Sequence, residues 1–165
     1  KAHRLIMEDE RKGIIYDRIV GEILSAKFNE SSERVYDEWM DKFVDFRKQL
    51  MQHNIDDVIS YKDFLKMFAT DEETIAKINA LADGDGDLHL ENVKLDQNNQ
   101  WVLIDMMNVC KGTELYDVAR TYFLLSYDSN IQRKYLEKMG YSVEDIMPYL
   151  DVILRVRENE MSCIY

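Results

Sequence analysis

Residues 85–92 read Asp-Gly-Asp-Leu-His-Leu-Glu-Asn, and Ile104-Asp105 follows after two short apolar runs. The runs are separated by Gln-Asn-Asn-Gln, so they predict a β-hairpin that brings Asn92 close to Asp105. Phosphoryl transfer requires an aspartate that accepts the proton of the attacking hydroxyl, and it requires oxygen ligands for Mg²⁺. Asp87, Asn92 and Asp105 carry these groups, and their spacing predicts a phosphoryl-transfer site.

The loop also resembles a family motif. In aminoglycoside phosphotransferases and their choline-kinase-like relatives the catalytic loop reads His-Gly-Asp-x-His-x-x-Asn, and residues 86, 87, 89 and 92 match it. Asp85 departs from the motif, because it stands where the family has a histidine. Ile104-Asp105 and residues 111–120, Lys-Gly-Thr-Glu-Leu-Tyr-Asp-Val-Ala-Arg, resemble the family's metal-binding strand and the segment after it.

The resemblance implies both a fold and an activity. The fold would be α+β and predominantly α: the carboxy-terminal lobe of a protein-kinase-like fold with a residual β-hairpin of the amino-terminal lobe. The activity would be ATP- or GTP-dependent transfer of phosphate to a hydroxyl of a small molecule, with Mg²⁺ as cofactor. An acidic chain suits a cationic acceptor, although acidity for solubility alone would also explain the charge. The acidic residues suggested to attract a cation are Asp151, Glu158 and Glu160, which a solvated helix face explains equally well.

The resemblance also implies the role of each residue in the loop. Asp87 is expected to be the catalytic base, and Asn92 and Asp105 are expected to bind Mg²⁺. His89 is expected to support the loop, although an ordinary turn histidine bonded to the backbone explains it as well. Asp117, at the start of a predicted helix, is expected to cap that helix or to anchor the catalytic loop.

Residues 14–21 resemble the family's hinge between the two lobes. There the adenine would be held by main-chain groups, the carbonyl of Asp17 and the amide of Ile19. The side chains of Lys94 and Ile104 are expected to lie against the nucleotide base, the lysine through its methylene stem. An ordinary buried strand would explain the same hinge residues equally well.

Other interpretations of the acidic loop stay open. Residues 83–87 alternate Asp and Gly like the start of an EF-hand loop, but Leu88 and Lys94 stand where that loop needs Gly and a bidentate Glu. A solvated acidic turn is a second alternative. A third is a catalytically inactive kinase-like binding or regulatory module, suggested by Asp85.

The domain organisation follows from the same comparison. Residues 1–20 are expected to be the end of the amino-terminal lobe and the hinge, with two strands at Ala2–Met7 and Gly13–Ile19. Residues 21–165 are expected to form the helical lobe. Because no Gly-rich phosphate loop or strand lysine precedes Asp87, we expect the chain as given to lack most of the amino-terminal lobe.

Helical periodicity and capping signals predict the helices of this lobe. An apolar stripe predicts one helix whose inner face carries Val35, Trp39, Phe43, Phe46 and Leu50. Capping pairs predict further helices near 61–69, 71–81 and from Ser142 onward; these pairs are Ser60 with Asp63, Thr70 with Glu73, and Ser142 with Asp145. Two more helices are expected near 114–127 and 129–139, the second ended by Gly140. Pro148 is expected to begin a separate helix that runs to about residue 160.

Composition limits the possible functions. The chain has 165 residues, 46% of them apolar, which is enough for one domain with a full core. The net charge of −11 disfavours nucleic-acid binding, and we find no apolar run that predicts a membrane span. The two cysteines have neither metal-ligand nor disulfide spacing, which favours a cytoplasmic location. The oligomeric state is not predicted.

Overall fold

The computed structural model describes residues 2–8, 11–16, 18, 20–23, 33–50, 58–83, 87–88, 93–98, 100–103 and 110–162. Over these residues the chain forms six helices: α1 Glu33–Leu50, α2 Tyr61–Lys66, α3 Glu72–Ala80, α4 Glu114–Leu124, α5 Ser129–Met139 and α6 Val143–Ser162. The same residues form seven strands: β1 Ala2–Glu8, β2 Arg11–Tyr16, β3 Gly21–Ile23, β4 Asp87–Leu88, β5 Val93–Asp96, β6 Trp101–Leu103 and β7 Lys111–Gly112. The described fold is predominantly α with small β elements, as the sequence predicts. Within these ranges, no helix has the length and apolar character needed to cross a membrane.

The described strands pair in three small antiparallel groups. β1 and β2 form the expected amino-terminal hairpin, which begins at the pair Glu8↔Arg11. Glu8 and Arg11 are therefore part of the paired strands, although the charged run 8–12 was predicted to be the turn. β3, β5 and β6 form a three-stranded sheet with β5 at its centre, and β4 pairs with β7.

Local capping bonds begin α2 and α3. The Ser60 hydroxyl accepts a hydrogen bond from the backbone N–H of Asp63 over 3.0 Å, as predicted. The predicted pair of Thr70 and Glu73 is wrong, because Asp71 caps α3. Its carboxylate accepts from the backbone N–H of Thr74 over 2.7 Å. A carboxylate at this position also places negative charge at the positive end of the helix dipole, which a threonine cannot do.

The boundary between α5 and α6 follows the sequence closely. Gly140 ends α5 with φ of 86°, a left-handed conformation that glycine adopts without a steric penalty. Ser142 and Asp145 then cap α6 reciprocally. The Ser142 N–H donates to the Asp145 carboxylate over 2.8 Å, and the Asp145 N–H donates to the Ser142 hydroxyl over 3.3 Å.

The prediction that Pro148 begins a separate helix is wrong, because α6 is continuous from Val143 to Ser162. Proline lacks the N–H that would bond to the carbonyl of Glu144 one turn earlier. Pro148 and Glu144 both lie on the exposed face, so water can bond to that carbonyl. Buried side chains on both sides of the proline keep the helix against the core: Ile146, Tyr149, Val152, Ile153 and Val156.

The inner face of α1 differs from the predicted apolar stripe. Phe43 is buried as expected, but Val35 is 39% exposed. Met40 and Val44 complete the buried face, and Arg47 lies on it with an exposure of only 2%. The helix is therefore rotated relative to the prediction, and its inner face includes a charge.

Helix α4 is buried around its whole circumference. The consecutive residues Tyr116–Thr121 are all buried, whereas a surface helix buries a single stripe. The helix packs against α5 and α6. Two of its buried residues, Asp117 and Arg120, carry charge into the interior, and each charge requires a partner there.

Arg120 finds its partner in Glu160 of α6. Its Nη1 and Nη2 donate to the two carboxylate oxygens over 3.1 and 2.6 Å. Arg157 donates to the same carboxylate over 2.8 Å, and its guanidinium lies 5.7 Å from the ring centre of Phe123. Glu160 therefore holds two helices together, and the expectation that it attracts a ligand is wrong because it is buried.

Glu160→Gln is expected to lower the free energy of unfolding by about 3 kcal/mol at neutral pH, since it leaves the buried Arg120 without a counter-charge. Chemical denaturation measures this change. Glu158→Gln is the matched control, because Glu158 is exposed on the same helix. Equal stability of the two variants would contradict a stabilising role for the ion pair.

The same carboxyl makes stability depend on pH. Burial acts to raise the pKa of Glu160, but the hydrogen bonds and charges of Arg120 and Arg157 outweigh it and hold the pKa below its usual value of 4.5. Such a group stabilises the fold above its unfolded pKa, and this stabilisation is lost as pH falls through the folded value. Denaturation at successively lower pH should show a steeper loss below pH 4.5 in the wild type than in Glu160→Gln.

Candidate functional site

The strand that carries Asp87 is held by a strand from the second motif. β4 pairs with β7 in the register Asp87↔Gly112 and Leu88↔Lys111. The chain that precedes α4 therefore lies directly beside the predicted catalytic base. This pairing brings together two segments of the sequence that both resemble the phosphotransferase motif.

Lys94 lies in the central strand of the three-stranded sheet. Its backbone is opposite Ile23 of β3 and Val102 of β6. β3 follows the predicted hinge residues Asp17 and Ile19 in the sequence. The segment after these residues therefore pairs with the strand that carries Lys94.

The predicted hairpin after the predicted catalytic loop is confirmed. Val93, which follows Asn92 in the sequence, pairs with Leu103, which precedes Ile104. The Asp96 carboxylate closes the turn by accepting hydrogen bonds from the backbone N–H groups of Asn98 and Gln100, each over 2.8 Å. These bonds, that of Gln100 above all, hold the pKa of Asp96 below its usual value.

An aromatic cluster fixes this hairpin to α1. The ring centre of Trp101 in β6 lies 6.1 Å from that of Trp39, 6.4 Å from that of Phe43 and 5.2 Å from that of Phe46. Rings at these separations bury large apolar surfaces against one another. Trp39 and Phe46 of the predicted stripe therefore serve to hold the hairpin.

Several predicted site residues lie outside the described residues. They are the hinge residues Asp17 and Ile19, the loop residues Asp85, His89 and Asn92, and Ile104 and Asp105 of the following strand. The backbones of Asp87 and Lys94 are described. Within the described ranges, no group of three or more His, Cys, Asp or Glu side chains could hold a metal ion, and the predicted magnesium ligands are not in those ranges.

Asp117 does not cap α4. Thr113 is the cap, and its hydroxyl accepts from the backbone N–H of Tyr116 over 3.1 Å. The Asp117 carboxylate instead forms an ion pair with the guanidinium of Arg47, which also donates to the Asp117 carbonyl over 3.4 Å. Both side chains are 2% exposed, so this pair joins α1 to the first turn of α4 inside the core.

Asp117 keeps Arg47 charged in spite of burial. Burial acts against the charge of Arg47, but Asp117 outweighs it and raises the pKa of the guanidinium. Burial also raises the pKa of the neighbouring Tyr135 to about 12, so its phenol stays neutral. The sequence did contain a signal that Arg47 is buried. It lies three residues after Val44 and four after Phe43, which places it on the apolar face of the helix.

Of the other acidic residues suggested to attract a cation, Asp151 already has basic partners. Its carboxylate lies 2.6 Å from Lys77 and 3.3 Å from Arg155. Glu158 is exposed.

Asp117→Asn is expected to lower the free energy of unfolding by about 3 kcal/mol, because Arg47 then stays buried beside a neutral group. Glu114→Gln, in the first turn of the same helix, is the control. Denaturation should show that the double variant Arg47→Met with Asp117→Leu recovers most of the loss, since it removes both charges. A double variant less stable than Asp117→Asn would contradict this account.

The chain was compared with protein-family models and with curated proteins. No family model matches it, and no curated protein matches it.

Proposed function

We propose that the chain carries the catalytic loop of a phosphotransferase that moves phosphate from ATP or GTP to a hydroxyl of a small molecule. The observation that carries the proposal is the pairing of β4 with β7. Residues 85–92 and 111–120 are far apart in the sequence, and each resembles a segment of the aminoglycoside phosphotransferase site. The register Asp87↔Gly112 joins them. In this proposal the helical part is the carboxy-terminal lobe of a protein-kinase-like fold.

In the proposed reaction Asp87 accepts the proton of the acceptor hydroxyl. The hydroxyl oxygen forms a bond to the terminal phosphorus, and the bond between that phosphorus and the bridging oxygen of the leaving nucleoside diphosphate breaks. The transition state is loose, so the aspartate chiefly orients the hydroxyl and takes the proton late. Mg²⁺ would neutralise charge on the phosphates, and Asn92 and Asp105 offer the oxygen donors that it binds.

The nucleotide would lie between the hinge and the central strand of the three-stranded sheet. The pairing of Ile23 with Lys94 supports this arrangement, because β3 follows Asp17 and Ile19 in the sequence. The methylene stem of Lys94 can cover an adenine while its ammonium stays in water. Ile104 would supply an apolar contact to the same base.

We further propose that the acceptor is small and cationic and that the protein acts in the cytoplasm. The net charge of −11 favours the approach of a cation and disfavours nucleic acid. The two cysteines, Cys110 and Cys163, have neither metal-ligand nor disulfide spacing, which favours a reducing compartment.

Asp87→Asn is expected to lower the kcat of phosphoryl transfer by at least about 10²-fold, because the variant cannot accept the proton. Transfer of labelled terminal phosphate from Mg-ATP or Mg-GTP to a panel of amino sugars and hydroxylated amines measures this. Glu91→Gln is the matched control, since Glu91 is an acid of the same loop with no role in the proposed chemistry. Turnover by Asp87→Asn equal to that of the control would remove the assigned base.

Nucleotide binding separates this proposal from the catalytically inactive module. Titration with Mg-ATP should show binding that weakens in Asp105→Asn, together with turnover in the wild-type protein. Binding without turnover would favour the inactive module instead. Tight Ca²⁺ binding with no nucleotide binding would favour the calcium-loop alternative.

A further inference from the structure

We infer that Tyr61 is a positioning residue for Asp87, because the first turn of α2 contacts both the chain that leads to β4 and its partner strand β7. This inference rests on the proposed function, in which a base must stay at a fixed place relative to the reacting hydroxyl. Tyr61 lies outside every segment that resembles the family motif. Its role follows from three sets of contacts.

The first set holds the chain that leads to β4. The Tyr61 hydroxyl donates a hydrogen bond to the backbone carbonyl of Ala82. The next residue of the same turn, Lys62, donates from Nζ to the Asp83 carboxylate over 2.7 Å and to the Asn79 carbonyl over 3.3 Å. Ala82 and Asp83 are the last described residues before Asp87, so α2 fixes the chain just before the strand.

The second set holds the partner strand of β4. The backbone N–H of Lys111 in β7 donates to the carbonyl of Ile59 over 2.8 Å, and Ser60 forms a parallel bridge with Lys111. Lys111 is opposite Leu88 in the β4–β7 pair. The residues that lead into α2 therefore bond to the strand that bonds to β4.

The third set is the contact of Gly112 with aromatic rings. A Cβ atom at Gly112 would lie 3.3 Å from the Cβ of Tyr61 and 3.2 Å from Cδ1 of Tyr116. The two rings lie 4.6 Å apart between centres. An alanine at this position would have to displace the tyrosines by a few tenths of an ångström, so β7 packs closely on Tyr61 at the position opposite Asp87.

Tyr61 thus contacts both the chain before β4 and the strand beside it. Its side chain is 1% exposed, and burial raises its pKa, so its hydroxyl remains a proton donor at neutral pH. Phenylalanine would keep the ring contacts with Gly112 and lose the hydrogen bond to Ala82. Tyr61→Phe therefore separates positioning from packing.

Tyr61→Phe is expected to loosen β4 while the fold stays intact. Hydrogen–deuterium exchange of the Asp87 and Leu88 amides should become about fivefold faster, the change expected for the loss of one hydrogen bond worth about 1 kcal/mol. Tyr149→Phe is the matched control, because Tyr149 is a buried ring of the same cluster, 6.3 Å from Tyr61. The melting temperatures of the two variants should agree within a few degrees.

Turnover of Mg-ATP, with water as acceptor, tests the consequence for the base. Tyr61→Phe should lower kcat about tenfold and leave the KM for Mg-ATP unchanged, since misplacement of the base affects the chemical step and not nucleotide binding. Tyr149→Phe should match the wild type. Gly112→Ala, which pushes β7 off the rings, should lower kcat in the same way.

Two results would overturn the inference: unchanged exchange of Asp87 and Leu88 in Tyr61→Phe, or faster exchange with unchanged kcat. Failure of the proposed function has a different result, which is absence of turnover in the wild-type protein. In that case the exchange data still decide whether Tyr61 holds β4.

Discussion

Helix α4 is surrounded by other parts of the protein, and the need to pair its two buried charges organises the described fold. Asp117 in its first turn pairs with Arg47 of α1, and Arg120 pairs with Glu160 near the end of α6. The two partners, Arg47 and Glu160, lie on the first and the last of the described helices. A buried charge without a partner costs about 3 kcal/mol, a large share of the stability of a domain, so these pairs disfavour other arrangements of α1, α4 and α6.

The candidate site depends on the same helix through covalent continuity. α4 begins two residues after Gly112, and Gly112 lies opposite Asp87. Any movement of α4 would therefore be transmitted to β7 and from there to β4. Tyr61 and Tyr116 press against Gly112 from the core side. In this way the strand that carries the proposed catalytic base is attached to a close-packed interior.

The hairpin that follows the loop is attached independently. Trp101 reaches α1 and packs among Trp39, Phe43 and Phe46. The loop and the hairpin thus have different anchors, the aromatic cluster of α1 for the hairpin and the first turn of α2 for β4. Both anchors belong to the same core. The ion pair between Arg47 and Asp117 joins α1 to α4, and α4 follows directly on the strand that packs on α2. If the proposed function holds, two anchors on one core would help to keep the proposed base at a fixed place relative to the hairpin.

The sequence by itself determined most of what is local. Gly140 ends its helix because only a left-handed residue fits there, and Ser60 and Ser142 cap helices because their hydroxyls reach N–H groups three residues on. The hairpin at residues 93–103 could likewise be predicted from the sequence, because two short apolar runs flank a polar turn. The start of α3 was predicted one residue too early: Asp71 caps the helix, and not the neighbouring Thr70, because both side chains can accept a hydrogen bond there.

Tertiary structure alone decided the long-range contacts. The pairing of Arg47 with Asp117 and of Arg120 with Glu160 depends on which helices meet, and periodicity marks apolar faces, not buried charges. The continuity of α6 through Pro148 depends on packing at both sides of the proline. The proposed role of Tyr61 could not be predicted from the sequence either. Its hydrogen bond and its ring contacts join residues that only the folded chain brings together.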